Sequence, residues 1–149
     1  MTLNMAKTLR RISKSVVAQS GLSTPNRAFY IDCASSDGGD GSITHPWNSL
    51  AAAQAHTFLA GDRIALARET ICQGSFSPQG SGSEGKPIRL TAFGQGPRPR
   101  IVATAHNRQA LLLFNQEYWQ IDSLDFSGGN KYGIFVSGDE GIHSVWSKK

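Results

Sequence analysis

Asp122 and Asp125 are the carboxylates whose spacing first suggests chemistry. Glycoside hydrolysis needs two such groups, one acid and one base or nucleophile. Three positions apart on one extended strand, however, they fall on opposite faces, because side chains alternate at every residue. One of them is therefore expected to face a turn or solvent. Asp139 and Glu140 lie in a loop with no visible partner. Asp37, Asp40 and Gly41 open an oxygen-rich loop that suggests calcium. An EF-hand would need Glu at its twelfth position, which here is Asn48. A plain Asx-type turn explains the same residues, and an irregular calcium site stays open.

His45, His56, His106 and His143 show no i, i+4 pair and no neighbouring cysteine, so they read as surface or turn histidines. Gly80, Gly85 and Lys86 imitate a phosphate-binding loop. That loop requires Ser or Thr next and then a helix; Pro87 and a strand-like run follow instead, which excludes nucleotide binding on this pattern. Gly80-Ser81-Gly82-Ser83-Glu84 departs from a nucleophile elbow at its last position. Trp47, Trp119 and Trp146 could stack on sugar rings, but Trp47 and Trp119 read as core. No catalytic residue, metal ligand or cofactor-binding residue is assigned.

The elements that would position these groups are short strands. Ala28 to Asp32, Arg63 to Ala67, Ile71 to Phe76, Ile88 to Phe93 and Arg100 to Ala103 alternate or are rich in β-formers. Ala110 to Phe114, Tyr118 to Phe126 and Tyr132 to Val136 continue the series, with Gly, Asn or Asp between them. One helix interrupts it. Pro46 suits a first helical position, and Trp47, Leu50, Ala51, Gln54 and Phe58 follow at spacings of three and four, predicting about three turns. Many short strands without crossover helices leave a sandwich, a barrel or a β-solenoid. Ile121 in Ile-Asp-Ser-Leu-Asp-Phe and Val145 in Ile-His-Ser-Val-Trp lie 24 positions apart, a spacing that suits one solenoid coil.

Charge narrows the partners. Of 15 basic residues, five (Lys7, Arg10, Arg11, Lys14 and Arg27) precede residue 28, where no acid occurs. The remaining ten face all 11 acids, so the rest of the chain is near neutral. A nucleic-acid binder should carry its basic face on the fold itself. The only other cluster, Arg98 and Arg100 around Pro99, reads as a solvated turn, so nucleic acid is not expected. Residues 1–27 read as a basic, disordered leader or a misplaced start, with a faint likeness to a transit peptide. Val16-Val17-Ala18 is too short for an export signal, and no run is long enough to span a membrane. Cys33 and Cys72 could close a disulfide across 39 positions or remain two small buried thiols.

The order of several motifs carries a resemblance. Phe29-Tyr30-Ile31-Asp32 is similar to an opening strand, and Asp37-Gly38-Gly39-Asp40-Gly41 with His45-Pro46-Trp47-Asn48-Ser49-Leu50 to a loop and capping helix. Ala60-Gly61-Asp62-Arg63-Ile64, Gly80 through Ile88, Ala92-Phe93-Gly94 and Asn115 through Ile121 are similar to coil turns and strands. Across residues 28–146 the chain resembles the N-terminal region of right-handed parallel β-helix proteins of the pectate-lyase-like superfamily.

The resemblance implies an all-β fold: a right-handed parallel β-helix whose stacked aliphatic interior is plugged by an N-terminal helix. Residues 28–149 would form the cap and first coils, cut off within a new coil. It also implies an extracellular protein that acts on polysaccharide by lyase or hydrolase chemistry, although no export signal is evident. A full-length relative could use Ca2+; none is evident here. The catalytic groups of such proteins project from later coils, so this portion is expected to be inactive. The alternatives are a non-catalytic scaffold or adhesin-like glycan-binding module, and a gene remnant. An open coil edge is expected to self-associate.

Overall fold

The computed structural model describes residues 26–139 and the backbone of Trp146 and Ser147. The leader up to residue 25, Glu140, His143 and Val145 lie outside the described residues, as does the Trp146 side chain. Asn26 and Arg27, assigned by sequence to the leader, belong to the described part. The Arg27 carbonyl accepts the Arg63 N–H at 2.9 Å.

Strands dominate. In chain order they are β1 (Ala28–Ile31), β2 (Arg63–Ala67), β3 (Ile71–Gln73), β4 (Ile88–Phe93) and β5 (Arg100–Ala103). Then come β6 (Gln109–Phe114), β7 (Trp119–Ile121), β8 (Asp125–Gly128), β9 (Tyr132–Ser137) and β10 (Trp146–Ser147). They form three sheets, ordered β1-β2-β4-β7-β10, β3-β5-β8 and β6-β9. Every pairing between these strands is parallel. From β4 onward, strands adjacent in a sheet are separated in sequence by one strand from each of the other two sheets, an arrangement that fits a β-helix.

Register places like side chains over like. Phe29, Ile64, Leu90 and Ile121 are successive partners in the first sheet, as are Ile31, Leu66 and Ala92. Cys72, Ile101 and Phe126 stack in the second sheet. Leu111 lies beside Ile134, and Leu113 beside Val136, in the third. Ile64, Leu66, Ile88, Leu90, Ile101, Leu111 and Leu113 are fully buried. Each such side chain contributes about 1.5–3 kcal/mol by leaving water. The alternate residues form outward columns, one of which runs Ala28, Arg63, Arg89, Gln120.

Two sequence expectations need correction. Residues 118–126 do not form one strand. The chain turns a corner between β7 and β8, with Ser123 in the left-handed region at φ 62°. The spacing of paired strands also differs from the 24 positions read between Ile121 and Val145. Ile121 pairs with Ser147, 26 positions on, whereas Gln109 pairs with Tyr132, 23 positions on. Corner loops absorb the length differences, and strand register alone is kept.

The helix is shorter than its apolar spacing predicts. It spans Leu50–Gln54 (α1), with the Ser49 hydroxyl accepting the Ala52 N–H at its N-cap. Pro46 and Trp47 precede it, because Trp47 bridges β1: its N–H donates to the Tyr30 carbonyl and its carbonyl accepts from Asp32. Phe58 is likewise held outside the helix, donating its N–H to the Gln79 carbonyl at 2.8 Å. Long-range backbone pairing thus trims the helix at both ends. Leu50 and Ala53 still reach the core. No helix among the described residues is long and apolar enough to cross a membrane.

Candidate functional site

The carboxylates singled out by sequence do not converge. Asp122, beyond the end of β7, accepts the Thr91 hydroxyl at 2.6 Å. Asp125 opens β8 on another sheet, is exposed and lies 3.6 Å from Arg98. Asp139 is tied to Asn115: the two side chains bond at 2.9 Å, and the Asp139 N–H donates to the Asn115 side-chain oxygen at 2.8 Å. Asp40 accepts the Ser42 N–H at 2.9 Å in an Asx turn. Its hydrogen bonds to Ser42 hold its carboxyl below the ordinary aspartate range. Asp37 is exposed in the same loop. Among the described residues no group of three His, Cys, Asp or Glu is gathered as a metal site.

Two of the tryptophans are interior. Trp47 stacks flat on Phe29, with ring centroids 5.5 Å apart. Trp119 is buried at the start of β7 and donates its indole N–H to the Gly80 carbonyl at 3.0 Å. Gly80 is glycine because two backbone segments touch there: its φ is +124°, and a Cβ would stand 2.0 Å from the Phe58 carbonyl oxygen. The loop that imitates a phosphate-binding motif is therefore a packing turn, closed by paired backbone bonds between Ser83 and Lys86. His45 is exposed and meets Thr44 at 3.1 Å, and His106 is exposed.

His56 has a different setting. It packs between Phe29, Phe58 and Trp47, at centroid distances of 4.4, 4.9 and 5.6 Å. Its Nε2 is buried without a hydrogen-bond partner among the described residues. Desolvation, then repulsion from Arg27, lower its pKa from the usual histidine value, against a weaker opposing pull from Asp62. Nearby, Cys33 and Cys72 lie in disulfide geometry with Cα atoms 5.3 Å apart, tying the chain after β1 to β3.

The site that sequence reasoning missed is a cleft of about 350 Å³ beside the first strands. Arg27, Arg63, Lys86 and Arg89 line it, together with Gly61 and Pro87. Backbone pairing assembles it from segments well separated in sequence. The Gly61 N–H donates to the Lys86 carbonyl at 3.0 Å, and the Arg89 N–H to the Asp62 carbonyl at 2.9 Å. Arg63 and Arg89 are direct register partners on β2 and β4. Asp62, almost wholly buried, neutralises only Arg27. It takes the Arg27 Nε–H at 2.9 Å and the Leu59 N–H at 2.7 Å. The hydrogen bond to Asp62 raises the Arg27 pKa further, against some desolvation. The remaining cations face a space with no acid in its lining. Such an arrangement can hold an anion. A signal existed in the sequence: Arg63-Ile64 and Arg89-Leu90 are the same outward-inward pair, 26 positions apart.

No protein-family model matches the chain, and no curated protein matches it. Among solved structures, the chain is similar to two crystal structures of the GH136 lacto-N-biosidase from Eubacterium ramulus. The selenomethionine derivative aligns at 20% identity and a TM-score of 0.62 over 75% of this chain and 24% of that one. The native protein aligns at 23% identity and 0.62 over 73% of this chain and 21% of that one. This chain thus spans about a quarter of that enzyme's length. At such identity the likeness is one of fold.

Proposed function

We propose that this chain supplies the cap and first coils of a right-handed parallel β-helix protein that acts on carbohydrate. On this reading α1 closes the N-terminal end of the solenoid, and the chain itself binds glycan without cleaving it. The observation that carries the reading is the stack of parallel sheets in register, seen together with its likeness in fold to a lacto-N-biosidase. A binding rather than cleaving role is supported by the carboxylates: Asp122 and Asp139 are engaged in structural hydrogen bonds, and Asp125 stands apart on another sheet. Inversion or retention alike needs two carboxyl groups about 5–9.5 Å from each other, flanking the scissile bond. An oxidising, extracellular setting accords with the Cys33–Cys72 pairing.

The test has two arms. The purified chain is run through native gels cast with neutral and with acidic polysaccharides, and the same glycans are assayed for newly formed reducing ends. Retardation on at least one polysaccharide without new reducing ends is the expected result. Free migration in every gel overturns the carbohydrate reading. Release of reducing ends overturns the claim that this portion does not cleave.

A further inference from the structure

We propose that the cleft between the first coils is a binding site for a tetrahedral oxyanion, the shared chemistry of phosphate and sulfate groups. The inference stands apart from the carbohydrate reading, because it rests on the charge and register of the cleft alone.

Adjacent parallel strands lie about 4.8 Å apart, so register partners project side by side. Like charges directly opposite one another destabilise a sheet. Arg63 and Arg89 occupy such a pair, on the outward face of β2 and β4. Lys86 enters the same space three residues before Arg89, and Arg27 lines it from the chain preceding β1. Among the described residues, Arg63, Lys86 and Arg89 take part in no salt bridge, while Asp62 is held by Arg27.

An anion in the cleft relieves this repulsion. Two guanidinium groups offer planar forks of N–H donors, which match the oxygens of phosphate or sulfate, and an ammonium adds a point charge. A tetrahedral oxyanion, with three or more oxygens about one centre, meets the three cations that face the space better than a planar carboxylate with two. The volume of about 350 Å³ admits the oxyanion with part of the molecule that bears it.

The test is a titration of the whole chain with inorganic phosphate and inorganic sulfate, read by thermal melting and calorimetry. Sodium chloride and sodium glucuronate at equal ionic strength are the comparison salts. The expected result is saturable stabilisation by phosphate and sulfate, weak with glucuronate and absent with chloride. R63Q and R89Q should each weaken phosphate binding by roughly tenfold or more, the loss of one charge-assisted contact. R108Q, an exposed position outside the cleft, should bind as the parent does. Both cleft variants should melt no lower than the parent without phosphate, because each removes a like-charge contact, so a folding failure would itself overturn the account. Equal stabilisation by chloride, or unchanged phosphate binding in R63Q and R89Q, overturns the site. Equal binding of glucuronate overturns its preference for a tetrahedral oxyanion. A sulfated polysaccharide that competes with phosphate would identify sulfate esters as the source. Competition by phosphorylated sugars alone would identify phosphate esters.

Discussion

The chain around β1 and the sheet formed by β6 and β9 are held by different means. Around β1, stability is vested in single side chains that act over long sequence distances. Cys33 reaches Cys72 across 39 positions, Arg27 reaches Asp62 across 35, and Phe29, Trp47, His56 and Phe58 pack ring against ring. Around β6 and β9 the devices follow strand register. Leu111 and Leu113 lie on Ile134 and Val136, and Asn115 bonds Asp139 24 positions further on. The first region depends on particular residues, each without a substitute. The second depends on register, so each residue shares its task with its partner on the paired strand. Removal of one group should therefore cost much more near β1 than on β9.

The largest effect is expected at the disulfide. In the chain-entropy view, closing a segment of 39 positions stabilises the fold by about 4 kcal/mol. Cys72→Ala, or reduction of the parent, should lower the denaturation midpoint accordingly, and mass measurement under non-reducing conditions should find the two thiols oxidised. A parent chain that carries two free thiols, or that melts identically with and without reductant, would remove the main lock from the β1 region and with it the contrast.

Next comes a paired truncation inside the core. Leu66 is fully buried between Ile31 and Ala92, and Leu66→Ala should cost about 2–5 kcal/mol, the transfer term plus the cavity. Val136 on β9 is only half-buried, and Val136→Ala should cost about 1 kcal/mol, a partial share of one aliphatic side chain. Urea melts of the two variants would give the ratio directly. Similar losses at both positions would mean that β9 is covered as fully as β2, and that the two regions differ less than their contacts suggest.

The same contrast separates what could be read from sequence from what could not. The bounds of β2, β4 and β5 were legible because alternation in Arg63–Ala67 and Ile88–Phe93, and the β-branched core of Arg100–Ala103, are local properties of a strand with one face inward. The corner between β7 and β8 was not, because Ser123 takes the left-handed conformation that sequence reasoning expects of glycine. The helix was overdrawn because Trp47 and Phe58 carry the right spacing, yet their backbones pair with Tyr30, Asp32 and Gln79. The basic cleft was hidden for a related reason. Arg27, Arg63, Lys86 and Arg89 become neighbours only once the strand register is known, and charge counted along the chain made this part look neutral.

The smallest expected effect tests the aromatic cluster through pH. His56 is held below the usual histidine pKa by desolvation and by Arg27. In the unfolded chain the imidazole titrates near about 6.5. As pH falls through that value, the unfolded chain binds a proton that the folded chain refuses, so stability declines with falling pH. The decline ends once pH passes below the folded pKa, where both states are protonated. The contribution of neutral His56 is thus fully present above the unfolded pKa and lost towards acid. Thermal melts between pH 7.5 and 5 should show this slope in the parent and in His106→Gln, whose histidine is exposed. His56→Phe keeps an aromatic ring against Phe29 and cannot titrate, so its slope should be shallower. An identical slope in parent and His56→Phe would show that the cluster near β1 tolerates the charge. Its rings would then be as replaceable as the side chains of β9.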